Sequence, residues 1–321
     1  MSQEVLRVGV VGVGYLGRFH ALIYSRMAGV ELVGVADVDA AQAGSVAKEV
    51  GCTAYTDPEA LLGQVDAVSI VVPTSMHLAV ARPYLEAGVH CLLEKPVAAD
   101  LAEGAEILRL AEASGALLQI GHLERFNAGI MELARRIAQP RFIEAQRMGG
   151  FKERATDVDV VTDLMIHDID IILALVDSDL VDVRAVGTPV LTEHVDIANA
   201  RLEFANGTVA NVVASRVSDN PTRRIRVFQP QGYLSLDFVE QTLDIATPVP
   251  SESGVRPEIS RERVQVTPVK PLDRELEAFV DCVRTGAAPL VDGAVGLRAL
   301  EVALLVRERM QAGVAVEFDS Q

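Results

Sequence analysis

The sequence predicts an α/β protein in which residues 1–121 form a doubly wound parallel sheet and residues 122–321 form a second α/β domain. Short apolar runs rich in Val, Ile and Leu alternate with amphipathic helical patterns along the first range, which is typical of a parallel sheet covered by helices. The first run leads into closely spaced glycines and then into a helical pattern. Beyond residue 121, short strands separated by hairpin-type turns become frequent.

The first strand-to-helix turn contains glycines at the spacing G-x-G-x-x-G, namely Gly12, Gly14 and Gly17, with Tyr15 and Leu16 between the last two. In a dinucleotide-binding unit the first glycine permits a tight turn and the second permits close approach of a pyrophosphate. The third permits close packing of the helix on the strand. The helix N-terminus then favours phosphate. This spacing also occurs by chance, so its weight depends on the elements around it.

An acidic residue, Asp37, ends the second predicted strand, twenty residues after Gly17. A dinucleotide-binding fold places an acid there to accept hydrogen bonds from the adenosine ribose hydroxyls. Neither Val38 nor Asp39 offers a cation for a 2′-phosphate, so the sequence favours NAD over NADP. Asp37 is also a typical helix cap, although Asp39 is better placed to cap the next predicted helix, residues 40–50.

The alternation of helices and strands continues to residue 120. Asp57-Pro58 marks the start of a short helix, and Asp100 with Glu103 is similar to a capping box. This order predicts a parallel sheet and strengthens the glycine motif. The predicted elements are a strand over 66–72, a helix over 76–87, a strand over 89–93, a helix over 100–114 and a strand over 116–120.

Two of these strands are followed by polar residues at the edge where such folds bind ligands, beyond the carboxyl ends of the strands. One group contains Pro73, Thr74 and His77, and the other contains Glu94 and Lys95. Thr74 is also a typical helix cap, and His77 is equally typical of a helix surface. Lys95 is more specific, because an ammonium held between a carboxylate and a proline at this edge can polarise a substrate oxygen.

The most distinctive segment of the second half leads into an amphipathic helix that ends near residue 176. Asp163 and His167 are four residues apart and are expected on one face of this helix, with Asp170 on nearly the same side. Such a pair can act in acid–base catalysis, but acid–histidine pairs are also ordinary contacts on helix surfaces. His167, Asp168 and Asp170 could also suggest a metal; no further cluster of ligands supports one, so no metal is predicted.

The rest of the second half is predicted to be rich in strands, because apolar and charged residues alternate between turn signals such as Ala205-Asn206-Gly207. Such a sheet has one covered face, and a second apolar face would indicate an oligomer. Helices are predicted over 128–138, 272–285 and 292–312, and a loop over 248–257. The predicted strands are 142–148, 181–188, 195–204, 208–216, 223–229, 232–237 and 263–267.

The composition argues against several classes of partner. A formal net charge of −16 disfavours binding to nucleic acid or to an anionic membrane, so an anionic substrate would need a local cluster of Arg or Lys. Cys52, Cys91 and Cys282 show neither metal-site spacing nor a disulfide framework. The sequence has no signal-peptide pattern and no apolar run of membrane-spanning length, so we expect a soluble, cytoplasmic protein.

Three motifs in this order carry a family resemblance: the glycine turn at 12–17, Glu94-Lys95-Pro96, and Asp163-x-x-x-His167. Together with Pro73-Thr74-x-x-His77 and a segment that starts at Pro271, they make the chain similar to the glucose–fructose oxidoreductase / inositol 2-dehydrogenase (Gfo/Idh/MocA) family. The resemblance covers nearly the whole length. It implies an N-terminal Rossmann domain, on which C-terminal helices can pack, and a C-terminal domain with a large, mostly antiparallel open sheet. It also implies homodimers or homotetramers that pair through that sheet.

The resemblance further implies an NAD-dependent dehydrogenase with Lys95 and His167 as the catalytic pair and Asp163 supporting the histidine. A neutral imidazole can take a hydroxyl proton near neutral pH, while an ammonium stabilises the alkoxide. Family members differ over whether lysine or histidine takes the proton, and both assignments stay open. The cofactor-binding residues implied are Gly12, Gly14, Tyr15, Leu16, Gly17, Asp37, Pro73, Thr74, His77, Glu94 and Lys95.

The segments 121–127 and 156–170 are similar to a nucleotide-sugar branch of the family, the UDP-N-acetylglucosamine 3-dehydrogenases. These make a 3-keto sugar for later transamination in lipid A or surface-glycan synthesis. A diphosphate substrate needs cations, and Arg147 is one candidate, although any single cation here is equally typical of a solvated strand edge. Substrate-binding residues would then be Lys95, Arg125, Lys152, Arg154, Asp163 and His167.

Two alternatives to this function remain open from the sequence. One is an NAD(P)-dependent dehydrogenase of a free polyol or aldose such as inositol or glucose, within the same family. The other is a non-catalytic NAD-binding regulator, against which the intact Lys95, Asp163 and His167 argue.

Overall fold

A computed structural model describes residues 5–151, 158–251, 256–267 and 269–312 of the chain. Its first sheet has six strands in the order β3-β2-β1-β4-β5-β6, and all neighbouring pairs are parallel. This is the doubly wound order in which the strand sequence reverses between β1 and β4. The strands are β1 (Leu6–Val11), β2 (Val30–Ala36), β3 (Thr53–Tyr55), β4 (Ala67–Ile70), β5 (His90–Glu94) and β6 (Leu118–Gly121).

The helices between these strands begin and end at recognisable caps. Asp39 accepts hydrogen bonds from two backbone N–H groups at the start of α2, and Asp100 accepts one at the start of α4. Gly51 and Gly115 end these helices in the left-handed conformation. The helices are α1 (Tyr15–Tyr24), α2 (Ala40–Val50), α3 (His77–Glu86) and α4 (Leu101–Ser114), with short 3₁₀ turns at Pro58–Leu61, Thr74–Met76 and Leu123–Phe126.

The second sheet has eight strands in the order β14-β13-β12-β11-β7-β10-β9-β8. Only the neighbouring strands β7 and β10 are parallel; the other pairs are antiparallel. The strands are β7 (Phe142–Met148), β8 (Leu180–Thr188), β9 (Ile197–Phe204), β10 (Val209–Ser215), β11 (Thr222–Gln229), β12 (Gly232–Asp237), β13 (Thr242–Val249) and β14 (Glu258–Gln265). Together the two sheets confirm the predicted fold class.

Helices cover one face of this second sheet and complete the first unit. In the second half, α5 (Ala128–Ala134) packs on β12, and α6 (Ile166–Leu175) packs on β7 and β10. The last elements of the described residues are α7 (Pro271–Thr285) and α8 (Gly293–Ala312). Helix α7 contributes Leu276, Phe279 and Val280 to the same buried core as Val8 and Leu92 of the first sheet.

Two compact units divide the chain. One runs to Phe126 and includes Lys270–Leu300, and the other comprises Asn127–Val269 with the residues from Glu301 onward. The first change of unit lies close to the predicted domain boundary after residue 121, which stays a prediction. Among the described residues, no helix combines the length and apolar character that a bilayer span requires.

Two strands were not predicted from the sequence. One is the strand β3, which is only three residues long. The other is β13, which ends at Val249, inside the segment predicted to be a loop. The edge strand β14 spans Glu258–Gln265 rather than the predicted 263–267. Charged residues obscure the alternation of apolar and polar positions in this strand. Charged side chains are common on edge strands, where they prevent pairing with other chains.

Candidate active site

The glycine turn after β1 leaves room for a phosphate group. Gly12 has a φ of +81°, and a Cβ atom there would collide with the carbonyl oxygen of Val71. A Cβ atom on Gly17 would collide with the carbonyl oxygen of Gly12, so helix and turn pack directly on each other. Gly14, by contrast, has no heavy atom within 4 Å of its Cβ position. The turn is therefore closed on the inside and open where a pyrophosphate would approach.

The N-terminus of α1 has the properties of an anion site. Its cap residue is Gly14, which offers no side-chain hydrogen bond to the first N–H groups, and the first turn contains no acidic residue. These N–H groups and the helix dipole are therefore available to a phosphate. Tyr15 and Leu16, the predicted neighbours of the pyrophosphate, form this first turn, and Tyr15 is 77% exposed.

Asp37 connects the end of β2 to the glycine turn. One carboxylate oxygen accepts a hydrogen bond from the backbone N–H of Val13 at 2.8 Å, and the other accepts one from Asp39 at 3.0 Å. Each oxygen keeps a second lone pair, which can accept a hydrogen bond from a ribose hydroxyl. Asp39, and not Asp37, caps α2, as the sequence predicted. The open turn, the uncapped helix and this acid fit the adenosine diphosphate part of NAD.

The residues after β4 form neither a helix start capped by Thr74 nor an exposed helix surface at His77. Thr74 does not cap a helix, because the 3₁₀ turn begins after Pro73 and no side chain caps the start of α3. His77 is 1% exposed, and its ring nitrogens lie 3.3 Å from the carbonyl oxygen of Val97 and 3.1 Å from that of Val72. Burial lowers the pKa of His77. His77 thus braces the segment after Lys95; a direct contact with the cofactor stays a prediction.

The carboxylate of Glu94, the last residue of β5, lies in a tightly enclosed space. Glu94 is 6% exposed, and its Oε1 atom is 3.3 Å from Nε2 of the fully buried His20 in α1. A Cβ atom on Gly121 would lie 2.9 Å from the same carboxylate. Helix α1 and strand β6 therefore hold Glu94 from two sides. Lys95 follows directly and is half-buried.

The ends of β5 and β6 bring two cations near one imidazole. His122 is fully buried, and burial together with the charges of Lys95 and Arg125 lowers its pKa to about 3. Its imidazole is therefore neutral at physiological pH. Lys95 and Arg125 are thus two positive charges near the same imidazole, in a chain with a net charge of −16 in which an anionic substrate would need local cations. The sequence predicted roles for both cations but not for His122, the buried histidine whose pKa they lower.

In the other unit, Asp163 and His167 lie on a helix of mixed type. Asp163 belongs to a π-helical segment, Val161–Met165, and His167 belongs to α6. A π-helical turn is wider than an α-helical turn. A spacing of four residues therefore does not by itself place these two side chains on one face of the helix. Both are half-buried, whereas Asp168 and Asp170 are almost completely buried.

Two ion pairs, one of them buried, fix the start of this helix. Asp159 accepts hydrogen bonds from the N–H groups of Val161 and Thr162, and its other oxygen is 2.7 Å from Arg307. Asp196 pairs with Arg216 at 2.7 Å, and Arg216 also donates to the carbonyl oxygen of Val158. Burial opposes ionisation of Asp196, but three backbone N–H groups and Arg216 outweigh it and lower the pKa of this carboxyl.

Arg147 is not available to a substrate. Its guanidinium donates two hydrogen bonds of 2.9 Å to the carboxylate of Asp168, and both side chains are about 5% exposed or less. The candidate cations Lys152 and Arg154 lie outside the described residues. Asp168 is committed to Arg147, and no group of three potential metal ligands occurs within the described ranges.

Two family profiles match the chain. The profile of an oxidoreductase family with an NAD-binding Rossmann fold matches residues 6–122, and the profile of the GFO/IDH/MocA C-terminal domain matches residues 130–235. This chain belongs to the Gfo/Idh/MocA family. It is an oxidoreductase with NAD as its cofactor, which confirms the predicted family, enzyme class and cofactor.

Individual relatives extend the similarity to full length. The UDP-N-acetylglucosamine 3-dehydrogenase of Acidithiobacillus ferrooxidans is 43% identical over 312 residues, covering 96% of this chain and 98% of the relative. The solved structure of UDP-N-acetylglucosamine 3-dehydrogenase GnnA from the same organism matches with a TM-score of 0.92 at 42% identity, covering 97% of this chain and 99% of that one. The scyllo-inositol 2-dehydrogenase (NAD(+)) of Bacillus subtilis is 27% identical to this chain, and the match covers 99% of this chain and 97% of the relative.

Proposed function

We propose that this Gfo/Idh/MocA protein oxidises the 3-hydroxyl of UDP-N-acetylglucosamine to the 3-keto sugar. The observation that carries the proposal is the 43% identity to a UDP-N-acetylglucosamine 3-dehydrogenase, which extends over nearly the full length of both chains. Lys95 and Arg125, whose positive charges both act on the buried His122, are consistent with an anionic substrate. Such a product suits later transamination in lipid A or surface-glycan synthesis.

The residues around the first sheet would hold the cofactor. The N–H groups at Gly14, Tyr15 and Leu16 would bind the pyrophosphate, between the close-packed Gly12 and Gly17. Asp37 would accept hydrogen bonds from the adenosine ribose. The strand ends would hold the nicotinamide half. When bound there, NAD supplies the two-electron oxidant for an alcohol. The residues proposed for the nicotinamide half are Pro73, Thr74, His77, Glu94 and Lys95.

The proposed chemistry divides between Lys95 and His167. The imidazole of His167 would take the proton from the sugar hydroxyl, because a neutral histidine is an effective base near pH 7. Asp163 would orient that imidazole. The ammonium of Lys95 would stabilise the negative charge that develops on the oxygen. The assignment of Lys95 and His167 to one reaction rests on the family resemblance, since they belong to different compact units.

The decisive experiment is a substrate panel followed by NADH absorbance. UDP-N-acetylglucosamine, other UDP-sugars, myo-inositol and glucose are each offered with NAD to protein freed of copurified cofactor. We expect turnover of UDP-N-acetylglucosamine and a loss of at least about 100-fold in kcat for Lys95→Ala and for His167→Ala, since each removes a charge-stabilising or proton-transfer group. Lys48→Ala, in the last turn of α2, is the matched control.

Two outcomes would contradict the proposal. Turnover of inositol without turnover of any UDP-sugar would favour the polyol dehydrogenase, for which the 27% identity to a scyllo-inositol 2-dehydrogenase is the supporting observation. Unchanged turnover in Lys95→Ala would refute the catalytic assignment.

We also propose that a second copy of the chain covers the outer face of the eight-stranded sheet. This face carries three neighbouring half-buried aromatic rings, Phe142, Phe228 and Tyr233, whose centroids are 5.7 and 4.9 Å apart. Paired charges surround them, such as Arg226 with Glu144 at 2.5 Å. Apolar rings flanked by charged residues are typical of interfaces between copies. A homodimer, or a homotetramer built from it, is the proposed assembly, with no nucleic-acid or membrane partner.

A cytoplasmic location is proposed as well. Cys52, Cys91 and Cys282 are free thiols, which a reducing compartment preserves. Fractionation of cells with an antibody to the chain tests this: recovery in a membrane or secreted fraction would contradict it.

A further inference from the structure

Arg223 lies on the strand next to the one that is anchored to the helix carrying His167. In the register of β11 against β7, Arg223 lies directly opposite Arg147. Directly opposed residues of antiparallel strands project from the same face of a sheet. Arg147 projects towards α6, because its guanidinium binds Asp168, the residue after His167. Arg223 is therefore on the helix-bearing face, one strand away from that ion pair.

The burial pattern of β11 gives the same placement. Ile225 and Val227 are fully buried, and Arg223 is two residues before Ile225, on the same face of the strand. Arg223, in contrast, is exposed, so it lies at the margin of the covered part of this face. Arg224 and Arg226 belong to the opposite face.

Arg223 differs from its neighbours in charge pairing. The four arginines around it each have a carboxylate within 3.0 Å. Among the described residues no carboxylate lies within the 4.0 Å salt-bridge distance of Arg223. Within the described ranges Arg223 therefore has no salt-bridge partner, in a chain that is strongly acidic overall. The four pairs are Arg147–Asp168, Arg216–Asp196, Arg224–Asp237 and Arg226–Glu144.

We propose that Arg223 binds the diphosphate of a nucleoside diphosphate sugar and so determines specificity for that substrate class. A guanidinium donates two parallel hydrogen bonds to phosphate oxygens, which makes arginine the side chain best matched to this group. Arg147 has the right chemistry but is committed to Asp168; Arg223 is the next cation on the same face. This inference rests on the proposed function and names the residue that recognises the nucleotide part of its substrate.

The same chemistry could belong to the pyrophosphate of NAD, so the experiment measures both ligands. The variants are Arg223→Ala, Arg223→Lys and the matched control Arg224→Ala, whose side chain leaves the same strand on the other face and pairs with Asp237 at 3.0 Å. For each variant, KM and kcat for UDP-N-acetylglucosamine are measured at saturating NAD. The Kd values of UDP and of NADH are measured by calorimetry.

For Arg223→Ala we expect KM for UDP-N-acetylglucosamine and Kd for UDP to rise about 10- to 100-fold, the effect of losing a charge-assisted hydrogen bond. We expect kcat within about twofold of the wild type, because the interaction is made equally in substrate and transition state. Arg223→Lys should recover part of the loss. Arg224→Ala should change neither constant by more than about twofold, as for an exposed ion pair. The Kd of NADH should be unchanged throughout.

Unchanged KM and UDP affinity in Arg223→Ala would overturn the inference while the proposed function stands. Equal losses in UDP and NADH binding would also overturn it, since they indicate a general effect on the fold or the coenzyme. If the wild type binds UDP but oxidises a different UDP-sugar, the inference stands and the proposed substrate falls. If it binds no UDP, both fall.

Discussion

At the scale of single residues, His20 is the least expected feature of the first unit. It is fully buried in α1, six residues after the glycine cap, and faces the carboxylate of Glu94 at 3.3 Å. Glu94 in turn directly precedes Lys95. The sequence placed His20 on a helix without assigning it a role, because only the packing of α1 against the end of β5 brings the two side chains together.

Replacing His20 tests whether it positions this strand end. His20→Ala leaves a void beside a buried carboxylate, so we expect lower thermal stability and at least about a tenfold lower kcat, because Lys95 follows the group that loses its support. The matched control is Phe19→Ala, one residue earlier and 37% exposed. Equal kcat in both variants would contradict a positioning role; recovery in His20→Gln would support it.

A second residue-scale prediction concerns the phosphate turn. Gly12→Ala places a methyl group against the carbonyl oxygen of Val71 at a φ of +81°, so the turn must move. We expect the Kd of NADH, measured by fluorescence titration, to rise at least about tenfold. Gly44→Ala is the control: Gly44 lies inside α2, and apart from its chain neighbours and the backbone of its own helix no heavy atom lies within 4 Å of its Cβ position, so the change should stabilise the protein by about 0.5–1 kcal/mol.

The buried His122 predicts how stability depends on pH. Its pKa is lowered from 6.5 in the unfolded chain to about 3 in the native state. Between these values the unfolded state binds a proton that the native state does not, so the free energy of unfolding falls as the pH falls. The contribution of this group is about 1.4 kcal/mol per pH unit.

Urea denaturation of the wild type and of His122→Gln at several pH values from 7 to 4.5 measures this slope. We expect the variant to lose less stability on acidification than the wild type. Parallel pH profiles for the two proteins would show that His122 is protonated in the native state as readily as in the unfolded one.

At the scale of elements, the helix that carries His167 is held to the sheet by a buried charge pair. The bidentate contact of Arg147 with Asp168 connects β7 to α6 next to His167. Removing one member of such a pair leaves an uncompensated buried charge, at a cost of about 3–5 kcal/mol. The strand and helix were both predicted, but their attachment was not, because the two residues are 21 positions apart.

We therefore expect Arg147→Met to lower the midpoint of thermal unfolding clearly and to reduce kcat. The double variant Arg147→Met with Asp168→Leu should be more stable than Arg147→Met alone, because neither charge then remains buried. The reverse order of stabilities would indicate that Asp168 makes a stabilising contact that does not depend on Arg147.

At the scale of the whole molecule, the outer face of the eight-stranded sheet is the surface on which the proposed assembly can be tested. Phe228 is the middle ring of its aromatic group. If a second copy covers this face, Phe228→Asp should shift the mass measured by light scattering after size exclusion to that of one chain, 34.4 kDa. Val181→Asp, at an exposed position of β8, is the control for added charge. A wild type that is itself monomeric would refute the proposed assembly.

Local patterns in the sequence determined five of the six strands of the first sheet, the glycine turn, Asp37 and the caps at Asp39 and Asp100, because each depends on residues close together in the chain. The same patterns selected Lys95, Asp163 and His167 as candidates. Only the tertiary structure decided which charges are committed to partners. Arg147 is held by Asp168, and Arg223 is left exposed opposite it. Such pairing depends on strand register and helix packing across distant segments, and no local periodicity encodes it.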